Sequence, residues 1–534
     1  MAFDYIIVGG GSAGCTLAAR LTELPDVRVL LLEAGPEDTY RYIHMPVGFF
    51  KMTGGPLTWG YRTAPQRHAD GREILFTQAR VIGGGSSINA EVFTRGAAAD
   101  YDRWAHEEGC AGWSFAEVLP YFRRSEDNDT FADGFHGTGG PQGASTQDGQ
   151  PLTRLFVQAC QQAGLPYNPD FNGARQDGCG IYQTTTRGGR RCSTAVGYLK
   201  PVRHRPNLDV RTDCTTTRIV VERGRAVGVE FVRHGRAETV RAEREVIVSA
   251  GAVGSPRLLM LSGIGPADHL RAVGVDVIHD LPGVGQNFHD HYGTDILFEL
   301  DGPYSMDKYK AWHRAMLAGL QWKLFGKGPV ASNIVEGGAF WYVDRSQPIP
   351  DTQFHFLAGA GVEAGIPDVP SGSGCTLNTY YLRPRSRGSV TLRSADPLAP
   401  PVIDPNYLAD PHDLAMSVEG FRIMRDIMGQ PALAKVIRRE HFPGDAVRTD
   451  ADIAAYIRRQ GRTCYHPVGA CKMGVDAMAV VDPQLRVRGI EGLRVCDSSI
   501  MPSLIGSNTN APSIMIGEKG SDLIRGNRAP ALAA

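Results

Sequence analysis

Three things that announce common protein classes are missing from this sequence: a charge imbalance, a metal-ligand spacing and a membrane-length apolar run. Lys plus Arg number 56 against 57 Asp plus Glu, so no net field draws the chain as a whole to nucleic acid or to an anionic surface. The ten cysteines include no CxxC pair, which argues against a zinc site or a disulfide framework and fits a reducing cytoplasm. No metal is expected. No apolar run approaches the roughly 20 residues of a membrane-spanning helix, so any membrane association is expected to be peripheral. Met1-Ala2-Phe3-Asp4 leads directly into an apolar run, and no removable signal peptide is expected there. Repeats and low-complexity tracts are also absent. What remains is 534 residues, 42% hydrophobic, with 64 glycines: a loop-rich α/β enzyme of at least two domains.

The most informative stretch is Asp4-Tyr5-Ile6-Ile7-Val8-Gly9-Gly10-Gly11-Ser12-Ala13-Gly14. An apolar run enters a Gly9-x-Gly11-x-x-Gly14 turn, a helical pattern follows over 12–24, and a second apolar run ends in Glu33-Ala34. In a dinucleotide site the first glycine permits the tight turn and the second lets backbone approach a pyrophosphate. The third lets helix pack on strand. The helix N-terminus offers free N–H groups and partial positive charge, and Glu33 is spaced to accept from ribose hydroxyls. The motif alone leaves NAD and FAD open. A second glycine-rich turn, Val81-Ile82-Gly83-Gly84-Gly85-Ser86-Ser87-Ile88-Asn89-Ala90, is flanked by apolar residues and reads as backbone lying flat against a planar ligand. Residues 40–70 read as a long loop, either a lid or a surface excursion.

Short apolar or alternating runs predict strands near 208–211, 219–221, 227–232 and 246–248, and again at 353–357, 378–382 and 389–392. Lys310–Leu324 reads as a helix rich in Trp, Leu and Met whose apolar residues pack in a core. His466 precedes Pro467, which biases its backbone toward extended conformations. Histidine suits the base that alcohol oxidation needs, because its ordinary pKa sits near neutrality. Asn510 lies two residues before Pro512, which is expected in the first turn of a helix over 513–523; Asn510 would partner the substrate oxygen. His289 and His291 flank Asp290 without further ligands in spacing. His355 and Glu336 are read first as satisfied polar groups and second as substrate contacts.

The two glycine turns, together with 251–265, Leu281–His291, Cys464–Gly474 and Arg494–Pro512, resemble the glucose–methanol–choline (GMC) family of FAD-dependent oxidoreductases from residue 4 to 518. The resemblance implies an α/β, Rossmann-like FAD-binding domain (1–154, 195–299 and 462–534) interleaved with an α+β substrate domain on an antiparallel sheet (155–194 and 300–461). It implies FAD as cofactor, contacted by Gly9, Gly11, Ser12, Ala13, Gly14, Glu33, Ala34, Val81, Gly83, Gly84, Ser87, Asn89, Ala90, Thr216, Asp497, Asn510, Ala511 and Pro512. His466 and Asn510 would be the catalytic pair. Some relatives attach flavin through a His where this chain has Ile88, so non-covalent FAD is expected. Within the family, 84–96, 329–333, 336–341 and 354–361 are similar to bacterial L-sorbose dehydrogenases. That implies a sugar or polyol substrate and a quinone or dye as electron acceptor; aliphatic-alcohol, polyether and choline dehydrogenases share the same catalytic blocks. A homo-oligomer is compatible with the family.

Overall fold

The computed structural model describes residues 3–362 and 367–526. Two seven-stranded sheets organise it. The first has the order 208–211, 29–32, 3–8, 236–248, 225–233, 214–222, with 493–495 paired beside 236–248. Its parallel centre is buried on both faces, which is why residues 5–8 and Val29–Leu32 are continuous apolar runs rather than alternating ones. The long strand Arg236–Val248 serves two partners: its end runs parallel to Phe3–Val8, and its beginning forms an antiparallel ribbon with Arg225–Arg233. Val8 lies opposite Leu32 in the ladder, so Gly9 and Glu33 emerge together at the carboxyl edge, where ligands of such sheets bind. The first helix, Ser12–Leu21, packs on the last, Asn510–Arg525. Gly517 permits that approach, since a Cβ there would lie 2.8 Å from the Ala13 carbonyl oxygen.

The second sheet is antiparallel, in the order 437–442, 292–300, 374–381, 352–357, 337–341, 178–181, with 462–463 paired to 292–300. It corrects the expected boundaries. Tyr292–Leu300, expected at the end of an FAD-binding segment, is wholly a strand of this sheet, and Arg462–Thr463 pairs with it. The helix Pro151–Gln162 also packs here. All nine residues of Tyr292–Leu300 are buried, Thr294, Asp295 and Glu299 among them, and nothing in that mixed run marks the sheet it joins.

Residues 40–70 form part of the wall between the two units. Ile43, Phe49 and Met52 are buried in the second core, and Trp59 stacks on Tyr61 at 5.8 Å. The helix Trp312–Phe325 departs from its reading as core: Trp312 is 76% exposed and Phe325 70%.

Candidate active site

A single cavity runs from the first glycine turn to His466. At one end Gly9 has φ 105°, and a Cβ on Gly14 would lie 1.9 Å from the Gly9 carbonyl oxygen, so the turn admits no side chain at either position. Glu33 accepts from the Gly10 and Gly35 amides at 2.8 and 2.7 Å, while burial raises its pKa to about 7. Thr216 lines the cavity from the strand Cys214–Glu222. Asp497 accepts from the Gly251 amide and the Ser255 hydroxyl, at 2.9 and 2.5 Å.

Of the expected cofactor contacts, Gly9, Gly11, Ser12, Ala13, Glu33, Ala34, Gly84, Asn89, Ala90, Thr216, Asp497 and Asn510 line this cavity. Gly14, Val81, Gly83, Ser87, Ala511 and Pro512 do not line it. Ser87 Oγ, for example, is used on the Ile82 carbonyl at 2.7 Å. Ile88 lines the wall and has no nucleophilic atom. The residues present suit FAD. The first helix has no acid in its opening turn to repel a pyrophosphate. Gly85 faces open space, with nothing within 4 Å of a Cβ built on it. Asn510 Nδ2 is buried at the last helix's start without a hydrogen-bond partner, an orphan that a ligand's polar edge would satisfy.

At the other end His466 is held from three sides. Its backbone N–H donates to Asp290 at 2.8 Å, and the same carboxylate accepts from the Tyr407 and Thr463 hydroxyls. Asp290 is buried, and its pKa is pushed up to about 6. Tyr465 takes the left-handed conformation at φ 64°, its N–H donating to Thr463 Oγ1 at 2.8 Å. This turns the chain into His466-Pro467.

The ring's protonation is set by its neighbours. His291 Nε2 lies 3.1 Å from the Leu382 carbonyl, which can only accept, so Nε2 carries hydrogen. Burial holds His291 neutral, its pKa well below the ordinary value, so its Nδ1 is an acceptor. His466 Nδ1 at 3.0 Å must then donate, which leaves the lone pair on His466 Nε2. Asn508 Nδ2 approaches that atom at 3.1 Å. The Asn508 amide is oriented by its own oxygen, which accepts from Thr94 Oγ1 at 2.8 Å and Gln353 Nε2 at 3.1 Å. Burial lowers the His466 pKa to about 3. An imidazole lone pair thus stands beside a cavity, with an amide donor next to it.

This corrects one expected contact. Asn510 was to partner His466, but Asn510 Oδ1 accepts from Ser12 Oγ at 2.8 Å; the amide at His466 is Asn508. Sequence reading also passed over Asp290 and His291 as residues that hold His466. Their one signal was the His-Asp-His run, read as a failed metal pair. His289 does stay structural: Nδ1 donates to the Asn287 carbonyl at 2.6 Å and Nε2 accepts from the Leu504 amide at 3.0 Å. Glu336 is satisfied by Gln150 N, Thr153 Oγ1 and Ser332 Oγ. His355 faces the cavity and accepts from Gln353 at 3.0 Å. Burial, with a smaller contribution from His466, lowers its pKa to about 3.

Around His466 the wall is mixed, with Phe49, Val335 and Leu357 beside Asn378 and Arg462. Arg462 is paired with Asp295 at 2.9 and 3.0 Å. Of the carboxylates lining the cavity, Glu33 and Asp497 are hydrogen-bonded as above; Glu91 lies 3.4 Å from Arg191, and neither of its oxygens has a hydrogen-bond partner.

The fold and this site define an FAD-dependent oxidoreductase that acts on alcohols. Two models of GMC oxidoreductases match the chain, over residues 3–293 and 384–517; the chain belongs to that family, and FAD is its cofactor. It is 42% identical to an "Alcohol dehydrogenase [acceptor]" of Pseudomonas putida over 98% of this chain and 95% of that protein. It is 45% identical to an "Oxygen-dependent choline dehydrogenase" of Sinorhizobium fredii, over 99% and 96%. Among solved structures it is similar to pyridoxine 4-oxidase from "Mesorbium loti", at 32% identity and TM-score 0.88, covering 97% of this chain and 98% of that one. The family resemblance therefore holds, while the narrower likeness to L-sorbose dehydrogenase has no counterpart among these relatives.

Proposed function

We propose that the protein oxidises a neutral primary alcohol to the aldehyde, with His466 as the base and Asn508 as hydrogen-bond donor to the substrate oxygen. FAD supplies the hydride acceptor. The observation that carries the reading is the His466 Nε2 lone pair, fixed by the His291–Leu382 chain and set beside the Asn508 amide. A hydroxyl entering between the two loses its proton to Nε2, and Asn508 Nδ2 steadies the oxygen while hydride leaves the carbon. The last helix's N-terminus, at the cavity through Asn510 and Ser513, favours negative charge developing on a bound cofactor. Non-covalent attachment of FAD is part of the proposal, resting on Ile88.

Choline is the weaker substrate on this geometry. A quaternary ammonium is disfavoured next to a cation, and the Arg462 guanidinium lines the cavity, although Phe49 and Tyr465 supply aromatic faces. Asn378 and His355 keep a polyhydroxy substrate such as sorbose as a second reading. A quinone or dye is the acceptor in either case. The test is to add hexanol, choline and sorbose separately to the anaerobic holoenzyme and record the flavin spectrum. Rapid bleaching by hexanol is expected. Bleaching by choline alone would reverse the substrate assignment, and bleaching by sorbose alone would select the second reading.

A further inference from the structure

The helix Trp312–Phe325 has a surface that the rest of the molecule does not explain. Six of the fourteen large apolar side chains exposed among the described residues lie on it: Trp312, Met316, Leu317, Leu320, Leu324 and Phe325. A helix apolar on most sides is ordinarily buried; this one is anchored along a single edge. Ala318 is buried, Trp322 Nε1 donates to the Gly189 carbonyl at 2.7 Å, and Arg190 lies over the Trp322 ring at 4.3 Å. At about 100° per residue, Trp312, Met316, Leu320, Leu324 and Leu317 fall within an arc of roughly 140° that faces away from that edge.

The charge around this face selects its partner. Residues 308–328 contain five Lys or Arg and no Asp or Glu, in a chain that is otherwise balanced. Lys310 is paired with Asp307 and Asp368 at 3.0 Å; Lys308, Arg314, Lys323 and Lys327 form no ion pair among the described residues. A two-fold contact with a second copy would set these bases against themselves. An anionic bilayer surface complements them, and apolar residues with a terminal Trp are what a helix lying in that interface inserts.

We propose that this helix is an interfacial anchor that docks the enzyme on anionic membranes without crossing them. The anchor lies close to the active cavity. The turn Pro329–Ala331 that comes after it packs against both the helix and the turn Pro46–Lys51, whose Phe49 lines the cavity. Docking would therefore set the cavity wall beside the bilayer, where apolar alcohols and lipid-dissolved quinones concentrate.

The test is co-sedimentation of the full-length, FAD-loaded enzyme with vesicles of phosphatidylcholine alone or mixed equally with phosphatidylglycerol. Sedimentation with the anionic vesicles only is expected, weakening as salt rises toward about 0.5 M. Arg314→Glu and Lys323→Glu should each lower the partition at least roughly fivefold. The triple variant Trp312→Ser, Leu320→Ser, Leu324→Ser should lose binding while its dye-linked activity in solution is unchanged. Wild-type protein that ignores anionic vesicles, or a triple variant that binds as well as wild type, would overturn the anchor. So would light scattering showing a wild-type dimer that the triple variant dissolves without any vesicle binding; that result assigns the face to a second copy. Vesicle binding and light scattering do not depend on the substrate, so the anchor and the proposed reaction fail separately.

Discussion

Replacing His291 with Phe removes one acceptor that the substrate never touches, and the geometry around His466 sets the consequence. The ring keeps the volume and its place against Tyr380, whose centroid lies 5.1 Å away. What disappears is the acceptor 3.0 Å from His466 Nδ1, together with the Nε2–H donor to the Leu382 carbonyl. His466 must then either bury an unpartnered N–H or move that proton to Nε2. In the second case two donors meet, because Asn508 Nδ2 already faces Nε2. Leaving a buried donor unpaired costs about 1–3 kcal/mol. Converted at about 1.4 kcal/mol per tenfold, the competent tautomer falls by roughly 5- to 150-fold. The rate of anaerobic flavin reduction by alcohol, measured by stopped flow, should fall by that factor with flavin content unchanged. His291→Gln, which can offer an amide oxygen to Nδ1–H, should recover part of it. A Phe variant reducing its flavin within about threefold of wild type would refute the tautomer argument.

Three further outcomes are expected. Burial holds the folded His466 pKa at about 3, against about 6.5 when unfolded. Between those values the unfolded chain binds a proton that the folded chain refuses, so this stability is complete above pH 6.5 and is lost as pH falls toward 3. Glu33 and Glu91, raised by burial to about 7, act in the opposite sense, so the comparison is with His466→Gln. From pH 8 to pH 5 wild type should lose about 2 kcal/mol relative to that variant in denaturant titrations; a constant difference would contradict the pKa shift. Gly14→Ala would place its Cβ 1.9 Å from the Gly9 carbonyl oxygen, and the purified variant should carry little or no flavin by absorbance. Acid precipitation of the wild-type protein should leave its FAD in the supernatant, because Ile88 cannot form a bond to it; yellow pellets would show attachment elsewhere.

The first glycine turn was legible because its job is local: strand, turn, helix and acid are consecutive in the chain. His466 was legible through its block and the proline after it. The partner was not. Asn508 and Asn510 stand two residues apart where a loop enters a helix, and spacing does not tell which amide turns toward the base. Thr94 and Gln353 decide it, from elsewhere in the chain. His291 and Asp290 lie some 175 residues before His466; the pairing of Tyr292–Leu300 with Arg462–Thr463 and the bridge between His289 and Val468 bring them together. That pairing also explains the misplaced domain boundary. The helix Trp312–Phe325 misled for a different reason: an apolar pattern predicts burial without naming what does the burying.

If His466 removes the alcohol's proton, its loss must slow flavin reduction. The direct measurement is the rate of anaerobic flavin reduction by hexanol in FAD-loaded His466→Ala beside wild type. A fall of at least about a hundredfold is expected, the scale of a general base, with FAD still bound because the substitution leaves the Gly9–Gly14 turn and Glu33 in place. Reduction at a near-normal rate in that variant would contradict it.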